Sequence, residues 1–234
     1  MKKVVVVIVI FALACLSFQM KINKKDVPVS LHLNFQNEPL VLNDKKYVTK
    51  TNDTVTVTKM KFYLSNVVLE LEDGTQYKEN NSVHLVDAET LSSLEFHLKN
   101  APDLKIKKIR FDIGIDSLTS VSENFDSDLD PALGMYWAWN TGYINMKLEG
   151  KSSSCTNVKK EFQFHIGGYL PKQNALRKIE LEVAESQNII INVELDRWLD
   201  ALSLKETNSI MIPGEKAIAM ARIYKNMFLI DEEK

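Results

Sequence analysis

From Val29 onward, apolar and polar residues alternate with a period of two along most of the chain. That is the repeat of strands with one buried face. Val29, Leu31, Leu33 and Phe35 share one phase of the first run. In the next run Val55 and Val57 hold one phase, and Met60, Phe62 and Leu64 the other. The switch predicts a bulge near Thr58–Lys59. Val67, Leu69 and Leu71 then lead into Asp73-Gly74, a hairpin signal. Further strands are predicted at Ser82–Val86, Leu94–Leu98, Ile106–Ile115, Tyr143–Glu149, Glu161–Ile166, Lys178–Ala184 and Asn188–Leu195. About ten short strands with turn chemistry between them predict an all-β fold, an antiparallel β-sandwich. Helix is scarce, with a turn or two expected at Arg197–Leu202. A closing amphipathic helix is expected over Glu215–Phe228, where Ala217, Met220, Ala221, Tyr224 and Phe228 recur at helical spacing after Pro213-Gly214. No internal repeat and no interior Pro-, Gly- or Ser-rich linker divides residues 29–234, which read as a single domain.

The N-terminal stretch breaks this pattern. Met1-Lys2-Lys3 precedes an almost unbroken apolar run from Val4 to Phe18. The run falls short of the ~20 residues a membrane-spanning helix needs and has the layout of a signal peptide. Ala12-Leu13-Ala14-Cys15 resembles a bacterial lipobox, so residues 1–14 are expected to be a lipoprotein signal peptide. Cys15 is then the lipidated mature N-terminus, anchoring the chain to a membrane of the cell envelope, and residues 15–28 are a linker. This leaves Cys155 without a partner for an internal disulfide. In SSSCTN it reads as an exposed thiol on a polar loop. A net charge of -2 over 234 residues gives no basic face and argues against nucleic-acid binding.

Candidate chemistry concentrates in Leu129–Gly150 and Phe164–Tyr169. The first places Tyr136, Trp137 and Trp139 within four positions; the second places His165 before Gly167-Gly168. His32, His84, His97 and His165 each lie out of phase with the apolar set of their own strand. His84 and His97 read as solvated. His165 stands apart because the glycines beside it allow close approach of another group. CxxC, HExxH and GxSxG motifs are absent, as is a Gly-rich phosphate loop. Asp126, Asp128 and Asp130 imitate the start of a calcium loop, but Pro131 and Trp137 occupy positions that need Gly and Glu. The residues alone indicate an exported β domain with an aromatic ribbon and one suggestive histidine, and the chain is expected not to be an enzyme. That ribbon is either core or a docking and ligand-stacking surface.

GMYWAWNTGYINMKLEG, FQFHIGGY, KMKFYLSNVVLE, FDIGIDS and the closing IMIPGEKAIAMARIYKNMF occur here in one order. In this the chain resembles the MbnP-type family of bacterial periplasmic copper-binding proteins, related to MopE and CorA, and most of all its Bacteroidetes-like lipoprotein branch. The resemblance implies copper, as Cu(I) or Cu(II), held by two histidines and assisted by a tryptophan oxidised to kynurenine. It makes His165 one ligand and His32 the candidate second, with Trp137 or Trp139 the oxidisable indole. A di-haem peroxidase of the MauG/MbnH type is the implied partner. The metal-free alternative is an accessory or interaction lipoprotein that uses its Trp ribbon as core or as a docking or ligand-stacking surface.

Overall fold

The alternating runs form strands, and their apolar phases meet in one interior. The computed structural model describes residues 23–122, 124–140, 142–183 and 188–231; the expected signal peptide and Cys15 lie outside them. In chain order the strands are β1 (Lys24–Phe35), β2 (Glu38–Pro39), β3 (Tyr47–Val48), β4 (Thr54–Leu71), β5 (Gln76–Lys78), β6 (Val83–Asp87), β7 (Glu95–Pro102) and β8 (Ile106–Ile113). There follow β9 (Tyr136–Trp137), β10 (Gly142–Ser152), β11 (Glu161–Gly167), β12 (Arg177–Glu182), β13 (Ile189–Glu194), β14 (Ser209–Ile210) and β15 (Phe228–Ile230). Among the described residues, three short α-helices interrupt them: α1 (Ser117–Val121), α2 (Asp196–Leu199) and α3 (Glu215–Tyr224).

The smaller sheet runs β15–β13–β1, with β7 and β2 along the other edge of β1. The larger runs β12–β8–β4–β10–β11–β14, with β3, β5 and β6 also on β4 and β9 on β10. Val29, Leu31, Leu33, Ile191 and Val193 from the first sheet meet Met60, Phe62, Leu64, Leu148 and Phe164 from the second in one buried cluster. The result is the all-β sandwich the alternation predicts. Most pairings are antiparallel. β1 with β13 and β11 with β14 run parallel, as strands far apart in sequence are free to do because no hairpin dictates their direction.

The bulge falls where the phase switch puts it. Val57 pairs with Gly150 and Lys59 with Glu149, leaving Thr58 unpaired, so Val55 and Val57 bury on the same side as Met60, Phe62 and Leu64.

Other expectations need correction. The linker is shorter than residues 15–28, because β1 already begins at Lys24 and Val27 is core. The closing helix stops at Tyr224, and Phe228 belongs to β15, where its ring meets Phe62 and Phe111 edge-on. Position 228 lies one helical step beyond 224, so helical spacing alone cannot separate the two states. His84 is not solvated: it stacks on Phe96 at 3.8 Å and bonds Glu79 at 2.9 Å. Cys155 is fully buried rather than exposed, and burial pushes its thiol up. The polar serines before it serve Asp53, whose carboxylate accepts from the hydroxyls of Ser152 and Ser153 and the backbone N–H of Ser154.

A second, smaller apolar cluster lies on the outer face of the large sheet. It joins Tyr63, Leu85, Ile115, Tyr143 and Ile144 to Leu129, Met135 and Trp137. The last three belong to a strap, residues 124–140, that crosses this face.

Candidate functional site

Strand parity decides which side chains reach the outer face of the large sheet. Along β11, Phe162, Phe164 and Ile166 are core, so Gln163, His165 and Gly167 face outward. Along β10, Met146 and Leu148 are core and Lys147 and Glu149 face outward. The register sets Lys147 opposite His165 and Glu149 opposite Gln163. Glu149 therefore reaches His165 diagonally, and its Oε1 lies 2.7 Å from His165 Nε2. His165 is 9% exposed.

Burial pushes the His165 imidazole below its ordinary value, against the opposing pull of the Glu149 bond, and the Lys147 ammonium adds to the downward shift. The ring is thus neutral at pH 7. It donates Nε2–H to the carboxylate and keeps the lone pair on Nδ1, the usual way a carboxylate orients a metal-binding histidine. Lys147 is itself pushed down by burial.

The strap is fixed over the same face by hydrogen bonds from the sheet below it. Tyr63 donates its hydroxyl to the carbonyl of Asp128 at 3.0 Å, and Tyr143 to that of Leu129 at 3.1 Å. Asp128 Oδ2 accepts from the Leu85 backbone at 2.8 Å. Lys147 Nζ donates to the Gly134 carbonyl and Lys61 Nζ to that of Leu133. Burial raises the Tyr63 phenol and pushes that of Tyr143 up to about 12, so both stay protonated donors.

These anchors set Trp137 on β11. A Cβ built at Gly167 would fall 2.9 Å from Trp137 Cζ3 and 2.4 Å from the Tyr143 carbonyl oxygen. The space that Gly167 leaves, two residues from His165 along the same strand face, is therefore taken by an indole, and that at Gly168 by the Gln173 carbonyl and Pro213.

The two tryptophans part company. Trp137 is 6% exposed and Trp139 is 64% exposed, their rings 5.8 Å apart and tilted by 47°. Side chains at i and i+2 point the same way only in extended chain. β9 ends at Trp137, and the Asn140 N–H closes a turn onto the Trp137 carbonyl.

His32 does not join this site. It is exposed on β1, between the core residues Leu31 and Leu33, and so points away from the interior on the outer face of the small sheet. His165 points away from it on the large sheet. The expected histidine pair is thus split between opposite faces of the sandwich. Among the described residues, no group of three or more His, Cys, Asp or Glu side chains is arranged to hold a metal. Sequence reasoning missed Glu149, Lys147, Tyr63 and Tyr143. Glu149 and Lys147 carry the out-of-phase signal of His165, but only the β10–β11 register brings them to it.

The molecule is an all-β sandwich domain with the His165–Glu149 pair on an outer sheet face, beneath an aromatic strap. The sequence profile of the MbnP family matches residues 24–212, and the chain belongs to that family. Among solved structures, MbnP from Methylosinus trichosporium shares its fold, with a TM-score of 0.62 and 10% sequence identity over 83% of each chain. No curated protein matches the chain in sequence.

Proposed function

We propose that the chain is a non-enzymatic copper-handling protein on the periplasmic side of the cell envelope, anchored by lipid on Cys15. In this reading His165 is its copper-binding imidazole. Glu149 positions the ring, and Trp137 walls the pair from water. Family membership supports the copper association. The observation that carries the site is the part-buried His165–Glu149 pair at 2.7 Å, with the Trp137 indole packed over Gly167 beside it.

The donor chemistry fits copper in part. A neutral imidazole suits either oxidation state. The two-histidine set does not fit, because His32 lies on the other outer face. His165 then leaves the remaining positions to water or to a donor from a second molecule. An exposed indole at Trp139 would be the one a di-haem peroxidase meets first, which makes it the better candidate for oxidation.

Copper titration of the purified domain tests the site. His165→Ala is expected to abolish binding, Glu149→Gln to weaken it by about tenfold, and His32→Ala to leave it unchanged. Unaltered binding in His165→Ala would remove the assignment.

One observation favours the metal-free reading: the Lys147 ammonium sits opposite His165, where it opposes a divalent cation. A wild-type domain that takes up no copper, with His165→Ala unchanged in stability and partner binding, would establish that reading.

A further inference from the structure

Between Arg110 and Lys147 the chain contains no lysine, arginine or histidine. The same stretch carries Asp116, Asp126, Asp128 and Asp130 on α1 and the strap. Among the described residues, none of these four carboxylates is paired with a lysine or arginine. Three are held in place by backbone donors: Asp116 by Thr119, Asp128 by Leu85 and Asp130 by Ala132. Lys61 and Lys147, beneath the strap, are engaged with its carbonyls, and Lys61 is also paired with Asp87.

The same surface exposes large apolar side chains. Leu118 is 80% exposed, Val121 56%, Phe125 40% and Trp139 64%. Scattered single residues of this kind need no explanation, but several on one short segment do. Phe125 is braced edge-on against Tyr136 at 5.4 Å, and Tyr136 against Tyr143 at 5.1 Å, so this part of the surface is preformed.

A cleft of about 750 Å³ opens between α1, the strap and the β4–β6 edge. Asp126 and Asp128 line it together with Val83, Leu118 and Leu129; Glu79 also lines it but is engaged by Ser82 and His84. Carboxylates beside aliphatic side chains match a lysine or arginine side chain, whose stem is apolar and whose tip is charged.

We infer that this acidic, aromatic strap face is a docking surface for a basic protein partner. The partner places a cationic side chain in the cleft and apolar side chains against Leu118, Phe125 and Trp139. Charge complementarity selects the partner: the segment 111–146 holds no cationic residue and, among the described residues, exposes unpaired carboxylates, and surfaces of one sign steer association with oppositely charged proteins. The inference does not depend on copper binding.

The test uses the purified domain and a synthetic peptide of alternating lysine and leucine, with a glutamate-for-lysine peptide as control, read by Trp139 fluorescence and calorimetry. The lysine peptide is expected to bind at low salt and to weaken by about tenfold or more when salt is raised past the screening range. Asp126→Asn with Asp130→Asn should weaken it by about fivefold, as two exposed charges can. Glu180→Gln with Glu182→Gln, on β12, should change it by less than about twofold. Leu118→Ser should weaken binding at every salt concentration. Equal losses from the strap and β12 variants, or equal binding of the glutamate peptide, would overturn the inference. So would no binding of the lysine peptide at low salt.

Discussion

Replacing Trp137 by alanine is expected to destabilise the domain by about 3–5 kcal/mol, the usual cost of emptying a large buried aromatic site. The same change at Trp139 should fall within about 0.5 kcal/mol of wild type, as for exposed positions generally. The contrast follows from burial, 6% against 64%, although the two residues are chemically identical and two positions apart. Trp137 closes the outer cluster with Tyr63, Leu85, Leu129, Met135 and Tyr143, and its loss removes the contact that seats the strap on β11. Urea unfolding of both variants, followed by circular dichroism, gives the comparison directly. Equal effects, or a larger one at Trp139, would mean that the strap is not seated as described.

Gly167→Ala is the second large effect. A methyl there would lie 2.4 Å from a backbone oxygen and 2.9 Å from the Trp137 ring, closer than real contacts allow. The ring can swing away; the Tyr143 carbonyl belongs to the neighbouring strand and cannot move alone. Overpacking of this kind costs about 1–3 kcal/mol, occasionally more. The variant should also expose Trp137, giving a red-shifted tryptophan emission with β-sheet content preserved. If the emission maximum and stability match wild type, the indole does not rest on Gly167.

Much of the fold is legible in the sequence because strand alternation reports burial directly. The bulge at Thr58 is a good example: two apolar phases in one continuous run require an extra residue, and the ladder leaves Thr58 unpaired. What alternation lacks is knowledge of the layer. His32 and His165 are equally out of phase with their neighbours, and nothing local says that β1 and β11 belong to different sheets whose outward faces diverge. The pairing of β10 with β11 decides that Glu149, not His32, stands beside His165.

Cys155 illustrates the same limit from the other side. Its polar neighbours suggest an exposed loop, but those serines turn toward the buried Asp53 carboxylate, and the thiol packs in the main core. Polar residues that satisfy a buried charge look no different in sequence from polar residues that face water. Trp137 and Trp139 were likewise inseparable by spacing, since the turn that rotates one of them outward begins between them.

The most direct measurement is electron paramagnetic resonance of the Cu(II)-loaded domain, with the nitrogen couplings of bound imidazole resolved by pulsed methods. Coupling to one imidazole is expected, unchanged in His32→Ala and absent in His165→Ala. Two coupled imidazoles, with His32 among them, would contradict the placement of these residues on opposite faces of the sandwich.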